Sequence, residues 1–248
     1  MKKQVFLTTS WDDGYPSDVR VAELLARHGL PGTFYIPLHS TRPIMEKTEI
    51  RSLSSAFEIG AHTINHRDLT QLGEEEARTE ICGCKGILEE LTRKSCKMFC
   101  FPMGRYRSSQ LRLVQEGGYL GARTVELMSL AVPRLRSGVA VMPTTLQAQE
   151  HDRLTYLKNI GKRLAFSNLG NLSRCGSHDW VNCAERLLLR VAEQGGVFHL
   201  WGHSWELDAG SRWSELDQVL RLMANMRTSA RLATNAEVCE QSAESPVR

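Results

Sequence analysis

The chain reaches its first informative stretch at Thr8-Thr9-Ser10-Trp11-Asp12-Asp13-Gly14, close to the N-terminus. The residues from Val5 to Thr9 are β-prone and apolar enough to form a buried strand. This strand leads into two adjacent carboxylates, which repel each other unless a cation lies between them or one of them is protonated. Gly14 then allows the chain to turn at positive φ. Because Asp-Asp-Gly is also ordinary turn chemistry, the stretch alone leaves a functional and a structural interpretation open.

The length of 248 residues predicts one domain, residues 1–239, and the composition of the last residues predicts a disordered tail, residues 240–248. α/β barrels commonly form single domains of about this size. Hydrophobic residues make up 42% and charged residues 24%, as in ordinary globular proteins with a sizeable core. The net charge is only +3, and there is no run of Lys and Arg, so we expect neither nucleic acid nor a membrane as a partner.

The seven cysteines are irregularly spaced, and the pair Cys82 and Cys84 has no matching pair elsewhere, which argues against a zinc knuckle. We therefore predict free thiols in a reducing compartment. The first apolar stretch is three residues long, shorter than the core of a signal peptide. No segment approaches the roughly 20 apolar residues of a membrane span. These features predict a cytoplasmic protein, and they leave its oligomeric state open.

Strand and helix patterns alternate along the chain. The pattern predicts strands at residues 5–9, 32–36, 57–61, 97–101, 119–125, 139–142, 196–203 and 231–233. It predicts helices after residue 16 and at residues 46–56, 74–93, 109–116, 152–166, 180–194 and 213–226, with a loop at residues 168–177. Such alternation favours a parallel sheet or barrel whose active site lies at the carboxyl ends of the strands.

The second informative stretch is His62-Thr63-Ile64-Asn65-His66, which follows a predicted strand end, as Asp12 and Asp13 do. On a helical turn, residues four apart lie on one face, so the two imidazoles could bind one metal ion. A pair of exposed or capping histidines is the structural alternative. A carboxylate and two histidines form a facial set that leaves metal positions open for water and substrate.

Together with Phe101-Pro102-Met103-Gly104, these two stretches resemble the first three motifs of the polysaccharide deacetylases, the NodB-homology group or carbohydrate esterase family 4. The motifs stand in the family's order, and the resemblance covers roughly residues 4 to 235. It implies the family's fold, an α/β distorted (β/α) barrel with seven or eight strands. The combination of motifs is far more specific than any one of them.

The resemblance implies that Asp13, His62 and His66 hold a divalent metal, usually zinc, with cobalt or nickel as alternatives. It implies that Asp12 is the general base that deprotonates water, with the metal polarising the amide carbonyl. The oxyanion would be held by the metal and by the backbone N–H of Met103. Since this donor belongs to the backbone, a methionine at a position that is often aromatic in the family is compatible with the role.

The family's last motif matches the stretch from Val197 to Glu206, in which His199, Trp201 and His203 share one face of a strand. His203 lies nearest the carboxyl end of the strand, where the active site is expected, and it matches the motif's histidine. The resemblance therefore assigns it the protonation of the leaving amine. We expect His199 to lie deeper, hydrogen-bonded inside the barrel. Trp201 is interpreted either as a wall of the acyl pocket or as a core residue.

Two departures from the family pattern leave positions unassigned. The third motif usually has an arginine two residues before its proline, pairing with the base, where this chain has Cys100. Arg123, at a predicted strand end, is the preferred substitute, and Arg105 is the alternative. The fourth motif, an Asp-rich stretch that ends in Asp-Trp, is matched only loosely by His178-Asp179-Trp180.

That loose match leaves the partner of His203 open. Asp179 is interpreted as a helix cap or, alternatively, as the carboxylate that orients His203. Glu206 is a further candidate for orienting this histidine, with a solvated loop carboxylate as its structural alternative.

The sequence therefore predicts a metal-dependent hydrolase that removes an N-acetyl or other small acyl group from an amino sugar. The expected partner is a small N-acylated sugar, such as a glycoside intermediate or a sugar nucleotide. Four aromatic residues near the motifs are candidates for stacking on the sugar: Trp11, Tyr106, Trp201 and Trp205. Hydrolysis of a formamide, cyclic imide or other non-sugar amide is the alternative activity, and a degenerate sugar-binding protein without activity is the third hypothesis.

Overall fold

The computed structural model describes residues 4–175 and 179–244, and in these ranges ten strands form one curled sheet. The strands are β1 (Val5–Asp12), β2 (Thr33–Ile36), β3 (Glu58–Ala61), β4 (Met98–Cys100), β5 (Gly121–Arg123), β6 (Arg134–Arg136), β7 (Val139–Met142), β8 (Leu146–Gln147), β9 (Gly196–Gly202) and β10 (Arg231–Leu232).

The strand order is β6-β7-β5-β4-β3-β2-β1-β9-β8, with β10 paired to β1. All pairs are parallel except β6 with β7. The predicted class, an α/β distorted barrel, is confirmed, and the sheet forms a half barrel. Every predicted strand region carries a strand. β6 and β8 lie in residues 126–147, where the pattern predicts strand and loop but does not give their bounds, because three- and two-residue strands show too little periodicity.

Helices connect the strands, and most of them cover the outside of the sheet. They are α1 (Asp18–His28), α2 (Lys47–Ala56), α3 (Glu74–Arg78), α4 (Cys84–Thr92), α5 (Ser108–Glu116), α6 (Arg153–Arg163), α7 (Leu169–Cys175), α8 (Trp180–Gln194), α9 (Ser204–Gly210), α10 (Trp213–Asn225) and α11 (Asn235–Glu244). A π-helical segment, Thr79–Gly83, joins α3 to α4, so the predicted helix at 74–93 is continuous with one bulge. In the described ranges, each helix is too short or too polar to cross a membrane.

The apolar side chains form two clusters on opposite faces of the sheet. The larger cluster lies between the outer face and the helices. The smaller one joins strand residues such as Phe6, Tyr35 and Met142 to Val238 and Cys239 of α11. Since α11 packs on β1, β5 and β7, this helix covers part of the inner face. The carboxyl ends of the strands remain available for polar side chains.

The structure differs from the sequence-based expectation at two places in the C-terminal half of the chain. Residues 169–175 form α7 where we predicted a loop, because two of the asparagines in this polar stretch are buried and bind backbone carbonyls. Asn168 donates to Leu127 O (2.9 Å), and Asn171 donates to Met128 O (2.8 Å). The predicted tail, 240–248, begins inside α11, which is helical to Glu244, and residues 245–248 lie outside the described ranges.

The prediction of free thiols is wrong for one pair. Cys175, the last residue of α7, and Cys183 in α8 form a disulfide across a separation of eight residues. The spacing gave no sign of this pair, because cysteine connectivity cannot be read from sequence alone. The remaining five cysteines are free, as predicted: Cys82, Cys84, Cys96, Cys100 and Cys239.

Candidate active site

Three side chains from two strand ends converge at the carboxyl edge of the sheet. Asp13 follows β1, and His62 and His66 follow β3. The Nε2 atoms of His66 and His62 lie 3.1 Å and 3.7 Å from Asp13 Oδ1, so one atom from each residue could contact a common ion. Asp13 Oδ1 is buried and has no hydrogen-bond partner among the described residues. The structure thus brings together all three predicted metal ligands.

We had expected the two histidines to lie on a helical turn, but they do not. Residues 62–66 form an irregular loop in which Thr63 has φ 70° and His66 has φ 51°. Asp13 also has positive φ, 76°. Non-glycine residues rarely adopt this conformation, which is concentrated at functional sites. Two left-handed residues in the loop, rather than helical periodicity, turn both imidazoles toward Asp13.

The protonation states suit a cation. His62 Nδ1 lies 2.8 Å from the Cys100 carbonyl oxygen and must donate to it, which leaves the lone pair on Nε2. Burial lowers the pKa of His62 to about 4, so the ring is neutral near pH 7. Burial raises the pKa of Asp13, but the neighbouring imidazoles of His66, His62 and His203 outweigh burial and keep the carboxylate ionised. One carboxylate and two imidazoles are a donor set that a divalent metal fits.

A second group of possible ligands, Asp12, His62 and Cys100, is less suitable. The Arg123 guanidinium already neutralises Asp12. Burial also raises the pKa of the Cys100 thiol well above its ordinary value, whereas a metal binds the thiolate. The metal therefore fits the set that contains Asp13.

Asp12 is buried and ion-paired with Arg123, which donates to it from the end of β5. Burial raises the pKa of Asp12, but the charge of Arg123, followed by those of His62 and His203, brings it below 3.8. Asp12 is therefore ionised near neutral pH. The alternative, Arg105, instead pairs with Asp68 at 2.9 Å. Of the two candidate arginines, the structure brings only Arg123 to Asp12.

His203 follows β9 and faces the same site, with Nε2 4.0 Å from Asp13 Oδ2. Its Nδ1 lies 2.8 Å from Glu206 Oε2. Burial lowers the pKa of His203, but the hydrogen bond to Glu206 and the charges of Asp12, Glu206 and Asp13 outweigh burial and raise it above 6.5. Asp179 instead caps α8 by accepting from the Val181 N–H at 2.8 Å. Glu206 is thus the partner of His203; the other member of the loose motif, His178, lies outside the described residues.

Met103 lies in a short 3₁₀ turn, Pro102–Gly104, and has φ 54°. The hydrogen bonds of this turn are donated by the N–H groups of Gly104 and Arg105. In the described part of the chain, no acceptor receives the Met103 N–H. Its side chain is half exposed and lines the cavity, so the backbone donor is compatible with the predicted oxyanion role.

A cavity of about 440 Å³ contains these groups, and two of the four predicted aromatic residues line it. Trp205 donates its Nε1–H to Asp13 Oδ2 at 3.0 Å, and the Trp201 ring lies 5.4 Å from that of His203. The prediction is wrong for Trp11, which is fully buried in the outer core, because adjacent strand residues face opposite sides and Asp12 faces inward. Tyr106 does not line the cavity itself but stacks on Phe101, which does, so its contact with a sugar stays a prediction.

His199 lies below the site, as expected. Its Nδ1 lies 3.1 Å from the Pro143 carbonyl and its Nε2 2.8 Å from Ser10 Oγ. Burial lowers the pKa of His199 to about 3, so it is a neutral structural residue. Several residues that line the cavity were not predicted from the sequence, among them Arg42, Gln147 and His151. None of these three belongs to a motif; only their positions after predicted strands or before a predicted helix could have indicated them.

Comparison with known proteins places these features in a family. The sequence model of the family "Polysaccharide deacetylase" matches residues 1–122. YxkH of Bacillus subtilis (strain 168), named provisionally as a polysaccharide deacetylase, is 23% identical over 129 residues, which are 50% of this chain and 46% of YxkH. The chain thus spans slightly less than half the length of the curated relatives that it matches.

Solved structures extend the likeness of the fold to the rest of the chain. A Mycobacterium smegmatis protein, named provisionally as a polysaccharide deacetylase, is similar with a TM-score of 0.68 and 16% identity over 100% of this chain and 95% of its own. A mutant of BA3943 is described as a carbohydrate esterase family 4 pseudoenzyme with restored activity. It is similar to this chain with a TM-score of 0.54 and 16% sequence identity, and the match covers 96% of this chain and 68% of BA3943. The chain is thus similar to the polysaccharide deacetylase family in sequence over residues 1–122 and in fold over its whole length.

Proposed function

We propose that this protein is a metal-dependent hydrolase that removes an N-acetyl or similar small acyl group from an amino sugar. One observation carries the proposal: the donor set of Asp13, His62 and His66 shares a cavity with an ionised carboxylate, Asp12, and with a histidine of raised pKa, His203. A binding protein without activity needs no such acid, base and ligand set. The match of residues 1–122 to the polysaccharide deacetylase model supports a deacetylase.

One group of residues would bind the metal, and another activates the attacking water. Asp13, His62 and His66 would hold the metal, with zinc the first choice and cobalt or nickel the alternatives. Such an ion would polarise the acyl carbonyl and lower the pKa of a nearby water molecule. Asp12 accepts a proton from the attacking water, and Arg123 keeps Asp12 ionised.

The remaining groups act on the acyl oxygen and the leaving nitrogen. The free N–H of Met103 donates to the oxygen as negative charge develops there. His203 Nε2 donates a proton to the nitrogen as the C–N bond breaks, and Glu206 holds the ring through Nδ1. Water and the amide thereby yield a carboxylic acid and a free amine. The form of the sugar, a soluble glycoside or a sugar nucleotide, and the cytoplasmic location stay predictions.

The proposal is tested first by metal content. We expect about one divalent ion per chain in the parent, lost in Asp13→Ala and His66→Ala with the fold retained. His28→Ala is the matched control, because His28 pairs with Asp217 at the end of α1. A folded parent that binds no zinc, cobalt or nickel would refute the hydrolase.

The activity is tested with the metal-loaded protein and a chelator control. Release of acetate from N-acetylglucosamine oligosaccharides is compared with release of formate from formamides and with opening of cyclic imides. Acetate release that is lost in Asp12→Asn and His203→Ala supports the proposal. Turnover confined to formamides or imides would establish the alternative activity.

A further inference from the structure

A chain of hydrogen bonds runs from His203 to a second histidine in the cavity wall. Glu206 Oε2 accepts from His203 Nδ1 at 2.8 Å and from Gln147 Nε2 at 2.9 Å. Gln147 Oε1 in turn lies 2.9 Å from His151 Nε2. Gln149 holds the other side of the carboxylate, with its amide 2.7 Å from Glu206 Oε1. Gln147 lies in β8 and His151 just before α6.

The direction of each bond in this chain is fixed by chemistry. An ionised carboxylate only accepts, so the Gln147 amide nitrogen donates to Glu206. The Gln147 oxygen can then only accept, so His151 carries its proton on Nε2. Burial lowers the pKa of His151, which keeps the ring neutral near pH 7. A neutral imidazole has one proton, so His151 Nδ1 has an available lone pair.

This lone pair has no hydrogen-bond partner among the described residues. Throughout residues 4–175 and 179–244, no group donates to His151 Nδ1. The ring is held edge-on to Tyr156, with centroids 5.5 Å apart and planes at 83°. The neighbouring amide of Asn159 is already engaged, because it donates to Val125 O at 2.8 Å and accepts from Leu127 N at 3.0 Å. His151 is therefore a positioned acceptor without a donor in the wall of the cavity.

We propose that His151 Nδ1 accepts a hydrogen bond from a hydroxyl group of the substrate, and that Gln147 positions His203 through Glu206. The inference rests on the proposed hydrolase, and it narrows the substrate to polyhydroxylated amides such as sugars, as opposed to simple formamides or imides. His151 is a specificity-determining residue and Gln147 is a positioning residue.

The bond directions are tested by ¹⁵N NMR of the imidazoles in the full chain. The spectrum of the free protein should show His151 as the Nε2–H tautomer, assigned by its loss in His151→Phe. Adding triacetylchitotriose to the zinc-loaded protein should move the Nδ1 resonance upfield and leave Nε2 in place. An Nδ1–H tautomer, or an Nδ1 resonance that saturating sugar does not move, would overturn the proposal.

The role in turnover is tested with two substrates, triacetylchitotriose and p-nitrophenyl acetate, which has no hydroxyl group and whose leaving group needs no proton. His151→Phe should lower kcat/KM for the sugar by roughly fivefold, as for one neutral hydrogen bond, mainly through KM, and should lower the ester rate by a smaller factor. Gln147→Leu should instead lower kcat for the sugar. His28→Phe is the control.

The outcomes separate this inference from the function on which it rests. Equal losses on the two substrates in His151→Phe would overturn the hydroxyl contact while the hydrolase stands. Equal losses in Gln147→Leu would show a structural effect and overturn the positioning role. A metal-loaded parent that hydrolyses neither substrate would refute the proposed function and, with it, the hydroxyl contact.

Discussion

Arg123 reaches Asp12 from β5, one strand away from the position at which the family motif has its arginine. The motif position is Cys100 in β4, and the Cα atoms of Cys100 and Arg123 are direct partners in the parallel register of the two strands. Arg123 therefore projects from the same level of the sheet as the missing side chain. The Cys100 thiol lies 3.8 Å from Asp12 Oδ2, and as a small side chain it leaves room for the guanidinium.

Removing this cation should affect both stability and catalysis. Arg123→Met leaves the Asp12 carboxylate buried without its partner, which in general costs about 3–5 kcal/mol of unfolding free energy. Without the opposing charge, burial dominates and the pKa of Asp12 rises. Activity should therefore be lost at higher pH on the acid side than in the parent. Urea unfolding and the pH profile of kcat/KM measure the two effects.

The same register suggests a rescue. In an Arg123→Ala background, Cys100→Arg should restore part of the activity, because the guanidinium would project from the adjacent strand at the same level. Cys100→Arg alone should be destabilising, since it adds volume and a second buried cation. If the double variant is no more active than Arg123→Ala, the two positions are not interchangeable.

Glu206 should determine the pH at which amide hydrolysis declines on the alkaline side of its pH–rate profile. The pKa of His203 lies above 6.5 because Glu206 and the aspartates outweigh burial, so its protonated form persists to higher pH. In Glu206→Gln, the pKa of His203 should fall and amide hydrolysis should decline from a lower pH. We expect kcat on amides to drop about 10- to 100-fold, part of what a positioned acid contributes.

Asp179→Asn provides the matched control for Glu206. Asp179 only caps α8, and asparagine is an equally good cap. Its pH profile should therefore coincide with that of the parent. A displaced alkaline limb in Asp179→Asn would contradict the assignment of Glu206 as the partner of His203.

Much of this site could be predicted from sequence because its residues stand at strand ends. Asp12 ends a buried strand, Asp13 and His62 follow buried strands, and parallel strands bring their carboxyl ends to one edge. The preference for Arg123 over Arg105 followed from the same reasoning, and Arg123 is the one of the two that pairs with Asp12. The helical turn assumed for His62 and His66 was wrong, because spacing alone does not show where a backbone adopts positive φ.

The parts that could not be predicted depend on side-chain direction and long-range contact. Trp11 is an aromatic residue of the kind that stacks on sugars, but side chains alternate between the two faces of a strand, and the Trp11 side chain points into the core. Gln147 and His151 lie outside the motifs, and only the packing of β8 beside β9 brings them to Glu206. The disulfide between Cys175 and Cys183 likewise requires the packing of α7 against α8.

The loop that carries the histidines should depend on Glu80 in the π-helical segment. Glu80 accepts from the backbone N–H of Asn65 at 2.8 Å and from its side-chain amide at 2.6 Å. Glu80→Gln loses at least one of these hydrogen bonds. The loop can then move, and His62 and His66 no longer stay in position to bind the metal together with Asp13. Zinc affinity, measured by competition with a chelator, should fall about tenfold, as for other outer-shell partners.

The control for Glu80 is Glu76→Gln. Glu76 is an exposed α3 residue that pairs with Arg67 at 2.7 Å and should leave zinc affinity unchanged. If Glu80→Gln binds zinc as tightly as Glu76→Gln does, then the left-handed residues alone hold the loop.

Glu58, at the start of β3, should make stability depend on pH independently of the active site. Burial raises its pKa to about 7, although Thr33 Oγ1 and the Ala236 N–H donate to the carboxylate. Between its unfolded value of 4.5 and about 7, the folded state binds more protons than the unfolded state. The free energy of unfolding should therefore fall as pH rises through this window.

Glu58→Gln tests this prediction because the amide oxygen still accepts these bonds but does not titrate. Compared with the parent, its urea midpoint should decrease less between about pH 5 and about pH 8. Glu90→Gln, an exposed carboxylate on α4, should keep the parent's pH dependence. If the parent's midpoint is flat across this range, or if Glu58→Gln falls as steeply as the parent, then Glu58 is ionised in the folded protein, and the contact of α11 with β3 is made by a charged carboxylate.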